Sequence, residues 1–207
     1  MPTTRSYGDA CGIARALDVV GERWALLVVR ELLLGPQRFS DLRAALPAAS
    51  SNLLTDRLRE LEGRGVLSRR KLAPPAGSWV YELTEIGREL EPILLALGGW
   101  GLRFPRAEGA TLNATSMMLF LRGGGKPDPA ELAEYRVELD GSVWTVRAED
   151  GRWHVQRGEP ANPAAGISTD PVTFNALFEN PGHLPPDRVR TSGDPAALDR
   201  LLRSVGA

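Results

Sequence analysis

An α+β chain built as two unlike halves is what this sequence predicts, and three observations predict it. Apolar residues recur at spacings of three and four through much of residues 11–102, the helical period. Two short β-prone runs in the same half flank Ala73-Pro74-Pro75-Ala76-Gly77-Ser78, a turn that cannot be helix. From Tyr135 onward apolar and polar residues alternate, with Asp140-Gly141 and Asp150-Gly151 between the runs, which marks hairpins.

In the first half Ile13, Leu17, Val20, Trp24, Leu27, Val28 and Leu32 form a helical series, which Gly21 divides into two helices and Gly35-Pro36 ends. Ser40 is placed to cap a short helix facing inward through Leu42, Ala45 and Leu46, and Pro47 stops it. Ser50 or Ser51 caps the next helix, which runs to about Glu62 with Leu54, Leu58 and Leu61 inside. Val66 to Leu72 and Trp79 to Leu83 make a β-hairpin. Thr84 caps a last helix with Ile86, Leu90, Ile93, Leu94 and Leu97 on one stripe, and Pro92 should kink it. Leu95, Trp100 and Leu102 fall partly outside that stripe. A helix apolar on more than one face is usually buried from two sides, and a partner chain is one way to do that.

Residues 105–112 read as a linker. The second half opens with a helix carrying Met117, Met118 and Leu121 and ended by Gly123-Gly124-Gly125. An antiparallel meander follows. Two more helices each begin at Asp-Pro, Asp170-Pro171 and Asp194-Pro195, with Asp as cap and Pro as first helical residue. A strand over Arg188–Thr191 is expected between them. The division is therefore 1–104, a linker at 105–112, and 113–207.

Composition removes several classes of function. Of the 207 residues, 43% are hydrophobic and 25% charged, as in a packed soluble chain, so wholesale disorder is excluded. No apolar run reaches the roughly 20 residues of a membrane helix, the start lacks the apolar core of a secretion signal, and a cytoplasmic location is the expectation. A single cysteine, Cys11, rules out an internal disulfide and a cysteine-rich zinc site, and the two histidines, His154 and His183, lie far apart, so no metal is expected. No catalytic constellation is present: Ser168 has no nearby His, and Gly123-Gly124-Gly125 lacks the Lys-Ser/Thr of a phosphate loop. Neither an enzyme nor a bound cofactor is expected. The net charge of −1 hides a split, with 15 Lys+Arg against 12 Asp+Glu in residues 1–107 and 10 against 14 in 108–207. Opposite signs suggest two modules with different partners.

The chemistry sits in the first half. With Leu54, Leu58 and Leu61 inward, Asn52, Thr55, Asp56 and Arg59 point outward. Asn can pair bidentately with adenine and Arg with guanine in a major groove. The helix start at Ser50–Asn52 can take a phosphate, and Arg69-Arg70-Lys71 beside the hairpin turn suits groove-plus-backbone binding. The order of three helices, hairpin and helix suggests a winged helix-turn-helix. Residues 11–102 resemble the HxlR family of winged-helix transcription regulators, a branch near the MarR family. The residues carrying the likeness run from Cys11 through Gly21-Glu22-Arg23-Trp24. They continue with Leu33-Leu34-Gly35-Pro36, Arg38-Phe39-Ser40-Asp41-Leu42, Asp56 to Glu62, Gly65-Val66-Leu67 and Tyr81 to Gly87. Gly12 departs from the family's usual Pro. The resemblance implies a homodimer joined through terminal helices, residues 50–62 as recognition helix and 67–83 as wing. Arg38, Ser40, Ser50, Ser51, Asn52, Thr55, Arg59, Arg69, Arg70 and Lys71 are the candidate contacts to a double-stranded operator.

Cys11 is a candidate redox site, because several regulators of this type sense oxidants through a cysteine near this position and a helix N-terminus favours a thiolate. Its bland alternative is a small buried residue at the dimer interface. Trp24 is expected in the core. The second half resembles the sterol carrier protein type two fold, on its Asp-Gly strands, Arg157-Gly158, Ile167 to Phe174, and Arg190 to Leu198. That likeness implies a sheet with helices on one face and an apolar tunnel. Met117, Phe120, Trp144, Trp153, Phe174 and Phe178 are candidate lining residues, though a domain of this size needs that many large side chains simply as core.

The sequence thus predicts a homodimeric, ligand-responsive DNA-binding regulator, with repression the family's common habit and a small apolar effector in the second domain. Two rivals remain: a lipid-binding protein whose winged helix only dimerises, and a Cys11 thiol sensor with an inert second domain.

Overall fold

A computed structural model describes residues 6–74 and 77–205. The Met1–Arg5 start and the Pro75-Ala76 centre of the expected turn lie outside them. Two compact units divide the chain, residues 1–98 and 99–207.

The first unit runs α1 (Gly12–Val20), α2 (Ala25–Leu32), α3 (Phe39–Ala45), α4 (Ser51–Gly63), β1 (Leu67–Lys71), β2 (Trp79–Leu83), α5 (Glu85–Arg88) and α6 (Leu90–Gly101), the last crossing the boundary. Gly21 separates α1 from α2 as expected, and a Cβ there would stand 2.5 Å from the Leu17 carbonyl oxygen. Trp24 is not a helical residue. It is the N-cap residue of α2, in the left-handed region at φ 77°, and packs half-buried against the core. Its spacing from Leu27 and Val28 is helical because it stands directly before α2, where its carbonyl accepts the Val28 N–H at 2.9 Å. Ser40 lies inside α3 and does not cap it. Arg38 is the N-cap residue, and its backbone N–H donates to Asp41 Oδ2 at 3.0 Å. Ser50 caps α4 as expected, accepting from the Leu53 N–H.

The core of this unit holds Val28, Val29, Leu32, Leu42, Leu46, Leu54, Leu58, Leu61, Val66, Leu67 and Leu83. Strands β1 and β2 pair antiparallel, Leu67 opposite Leu83 and Lys71 opposite Trp79. A third short piece, unforeseen in sequence, joins them: Gln37 and Tyr81 exchange backbone hydrogen bonds at 3.0 and 2.8 Å. Thr84 caps α5 through the Gly87 N–H while its hydroxyl donates to the Gly65 carbonyl. Gly87 itself allows the close approach, because a Cβ there would overlap the Val66 carbonyl oxygen. Pro92 does more than kink the last helix. The chain leaves helix at Glu89, between α5 and α6, because Pro92 has no N–H for the Arg88 carbonyl and its ring crowds that group. The phase change splits the expected stripe: Leu90 and Leu94 reach the core, while Ile86, Ile93 and Leu97 are exposed.

The second unit adds α7 (Ala114–Gly124), β3 (Ala133–Leu139), β4 (Ser142–Glu149), β5 (Arg152–Arg157), β6 (Ala165–Thr169), α8 (Pro171–Glu179), β7 (Arg190–Gly193) and α9 (Pro195–Arg203). The sheet order is β5-β4-β3-β6-β7. Both Asp-Gly pairs lie at positive φ in two-residue hairpin loops, Leu139 opposite Ser142 and Glu149 opposite Arg152. Asp170 and Asp194 cap α8 and α9, each with Pro in the first turn. The expected all-antiparallel sheet needs correction, because β6 lies parallel to β3. That strand went unread: Ala165-Gly166-Ile167-Ser168-Thr169 is buried at most positions, so it shows no alternation. The strand before α9 begins at Arg190, two residues later than expected.

One face of this sheet carries Tyr135, Val137, Leu139, Trp144, Val146, Trp153, Val155 and Ile167, all buried. The buried residues of α7, α8 and α9 supply the rest of the unit's core. The other face carries ion pairs, Arg136 with Glu159 and Glu138, and Arg147 with Glu134. Among the described residues no helix is long and apolar enough to cross a membrane, and no three His, Cys, Asp or Glu are grouped to hold a metal ion.

Candidate nucleic-acid interface

Helix α4 turns Leu54, Leu58 and Leu61 fully inward and leaves Ser51, Asn52, Asp56 and Arg59 exposed. The wheel drawn from sequence therefore matches the burial at Asn52, Asp56 and Arg59, while Thr55, expected outward, is half-buried. Three of the hydroxyls on it also have local work. Ser50 accepts the Leu53 N–H, Thr55 Oγ1 donates to the Ser51 carbonyl at 2.8 Å, and Ser51 Oγ accepts from Arg43 Nε at 3.2 Å. Arg43 also donates to the Pro47 carbonyl at 3.1 Å. The turn between α3 and α4 is thus held by an arginine that sequence reading did not single out. Its position four residues before Pro47 was the available signal.

Arg57 was missed as well. It is buried on α4, where its Nη1 pairs with Glu60 and lies 3.9 Å from Glu22 in the α1–α2 elbow. A charge removed from water must be paired, so this contact ties the presented helix to the elbow beside it. Its spacing, three after Leu54 and four before Leu61, puts it on the inward stripe.

The basic run of the wing divides by strand alternation. Arg69 and Lys71 share one side with Tyr81 and Trp79, while Arg70 points to the other with Glu82. The Arg69 guanidinium centre stands 4.4 Å from the Trp79 ring centroid and 5.9 Å from that of Tyr81. A cation over aromatic faces is held in place without losing its charge. Arg70 Nε instead donates to Glu82 at 2.8 Å, so a neighbouring carboxylate already offsets part of its field. Arg38 and Ser40 are exposed at the start of α3. The candidates Arg38, Ser40, Ser50, Ser51, Asn52, Thr55, Arg59, Arg69, Arg70 and Lys71 all belong to the unit of residues 1–98.

Cys11 is exposed at the head of α1, its Sγ accepting from the Ala14 N–H at 3.4 Å. In the other unit Met117, Trp144, Trp153, Phe174 and Phe178 are buried, and Phe120 is 41% exposed with its ring 6.3 Å from that of Phe178.

The HxlR-like helix-turn-helix model matches residues 19–108. The chain is similar to the uncharacterised HTH-type transcriptional regulator YvaP of Bacillus subtilis strain 168, 42% identical over 86 residues, which is 42% of this chain and 80% of YvaP. YdeP of the same organism, also an uncharacterised HTH-type transcriptional regulator, is 37% identical over 98 residues, 46% of this chain and 75% of YdeP. Among solved structures, the redox regulator HypR in its oxidised form is 34% identical, with 47% of this chain and all of that chain covered and a TM-score of 0.44.

Proposed function

Because this chain belongs to the HxlR-like helix-turn-helix family of DNA-binding transcription regulators, we propose that it acts as a homodimeric repressor whose second domain takes a small effector. The observation that carries the reading is helix α4, which buries its three leucines and leaves Asn52, Asp56 and Arg59 open to a groove. Asn52 and Arg59 read base edges. Arg38, Ser40, Ser50, Ser51, Thr55, Arg69, Arg70 and Lys71 set the register on the backbone.

Residues 1–104 form the reading and dimerisation domain, 105–112 the linker and 113–207 the ligand domain. The exposed Ile13 and Leu17 of α1 and Ile93, Leu97 and Trp100 of α6 support dimerisation through terminal helices. Two recognition helices then meet half-sites about one helical turn, ~34 Å, apart. The sheet-and-helix build of the second unit supports a sterol-carrier-like ligand domain. There Met117, Phe120, Trp144, Trp153, Phe174 and Phe178 line or wall the ligand space. An effector acts only if it binds one placement of the recognition helices better than another.

The test is fluorescence anisotropy of the purified chain on the DNA upstream of its own gene, against a shuffled fragment, at physiological salt. At least tenfold preference for the native fragment is expected. Equal weak binding to both would overturn the reading and favour a ligand-binding protein whose winged helix only dimerises.

A second reading makes Cys11 a redox switch, favoured by the exposure of its thiol at the head of α1. Mild diamide treatment should then release DNA from the native chain and not from Cys11→Ser. An identical response of the two removes it.

A further inference from the structure

Arg69 and Trp79 are not direct partners across the wing. Arg69 stands opposite Tyr81, and Trp79 stands opposite Lys71. Yet the Arg69 guanidinium centre is nearer the Trp79 ring, 4.4 Å from its centroid, than the Tyr81 ring, at 5.9 Å. The side chain therefore leans along the strand toward the free end of the hairpin. Arg69 is exposed, and no ion pair among the described residues includes it. Tyr81 has work of its own, packing half-buried against the core while its backbone is tied to Gln37. Trp79 is 48% exposed. A lone exposed tryptophan needs no explanation, but this one holds a cation.

The way it is held matters. A cation over an aromatic face keeps its charge. Arg70 next to it is held by the carboxylate of Glu82, which offsets that charge. Stacking also engages only the flat face of a guanidinium. Its N–H groups lie along the edge, where they match phosphate oxygens in pairs. A free arginine side chain has among the largest rotamer freedom of any residue and surrenders it on binding. Each side chain so ordered costs a complex about two- to tenfold in affinity. Arg69 has given up part of that freedom before any DNA arrives.

We propose that Trp79 is a positioning residue for DNA binding: it holds Arg69 toward the free end of the wing, ready for a backbone phosphate, and touches no nucleotide itself. The inference rests on the reading of this unit as a DNA-binding domain and adds to it a residue that acts through another.

The experiment measures the full-length chain on the DNA upstream of its own gene by fluorescence anisotropy across a salt series. Trp79→Leu keeps an apolar side chain without a ring face. It should weaken binding about two- to tenfold, equally for all operator variants. The slope of log affinity against log salt should stay native, because Arg69 and its charge remain. Arg69→Ala should lower that slope by about 1. Adding Trp79→Leu to Arg69→Ala should then change nothing further. Trp79→Phe should stay within about twofold of the native chain, since a ring face is kept. Unfolding temperature should be native throughout. Unchanged affinity in Trp79→Leu would overturn the proposal, as would an equal loss in Trp79→Phe. A loss that persists in the Arg69→Ala background would make the indole a DNA contact, and a lowered unfolding temperature with a reduced slope would make it a prop of the whole wing; either overturns the positioning role. A native chain with no preference for its own fragment would remove the DNA-binding reading and this role with it. Specific binding by the native chain, unaltered in Trp79→Leu, would remove the positioning role alone.

Discussion

Helices α6 and α9 are opposites in composition and in fate. Leu90–Gly101 is the more apolar, with Leu90, Ile93, Leu94, Leu95, Leu97 and Trp100, yet it buries no residue completely. Pro195–Arg203 carries Asp199, Arg200 and Arg203, yet it buries Ala197, Leu198, Leu201 and Leu202. The difference lies in what each has to pack against. Helix α9 lays its apolar face on the sheet of its own unit, and its polar face pairs Arg200 with Glu131 and Arg203 with Asp199 in water. Helix α6 finds core for Leu90 and Leu94 only, and leaves Ile93, Leu97 and Trp100 uncovered. An amphipathic helix is completed by its own domain, while one apolar on two faces needs a second body.

The sharpest break of this contrast is a charge on the open face. Leu97→Glu should convert the proposed dimer to monomers in sedimentation velocity and cost operator affinity about hundredfold, near 3 kcal/mol. If the dimer persists, the open face of α6 is not its interface. In α9, Leu201→Ala should destabilise the second unit by about 2–5 kcal/mol through the cavity left behind. Thermal unfolding should show that loss while the sedimentation profile stays that of the native chain.

Smaller effects are expected on the reading surface. Arg59→Ala should cost about 1–3 kcal/mol and relax choice at one base position, measured against a panel of single-base operator variants. A uniform loss across the panel would make Arg59 a phosphate contact. In the wing, Lys71→Ala should lower the slope of log affinity against log salt by about 1. Arg70→Ala should change it less, because Glu82 already offsets that charge, and Glu82→Gln should tighten binding to all sequences slightly. Exposed pairs of this kind are worth only about 0.2–1 kcal/mol.

Much of this was legible because it is local. Ser50, Asp170 and Asp194 announce helix starts that the structure keeps, since a cap needs only its own side chain and the N–H groups two or three residues on. Asp140-Gly141 and Asp150-Gly151 fix their hairpins for the same reason: the turn requires positive φ at both positions, and these residues tolerate it. The outward side of α4 followed from three leucines at helical spacing.

What went unread depends on contacts between distant segments. Ser40 is the local exception: the helix starts earlier than Ser40, with Arg38 as its N-cap residue and Asp41 accepting the Arg38 N–H. Strand β6 hid because it is covered on both sides and has lost the alternation that would reveal it. The Gln37–Tyr81 bridge and the Arg57–Glu22 contact join residues that no period connects.

By itself, the sequence determined most of the elements, the caps at Ser50, Thr84, Asp170 and Asp194, the Asp-Gly turns, and the family, because these follow from spacing and backbone preference along one stretch of chain. The tertiary structure alone decided that, of three adjacent cations in the wing, Arg69 is stacked on aromatic rings and Arg70 is paired with Glu82. It also decided that the buried indole of Trp144 and the guanidinium of Arg157 face each other across β4 and β5. Pairing partners are chosen by strand register and burial, and neither is written in any single segment.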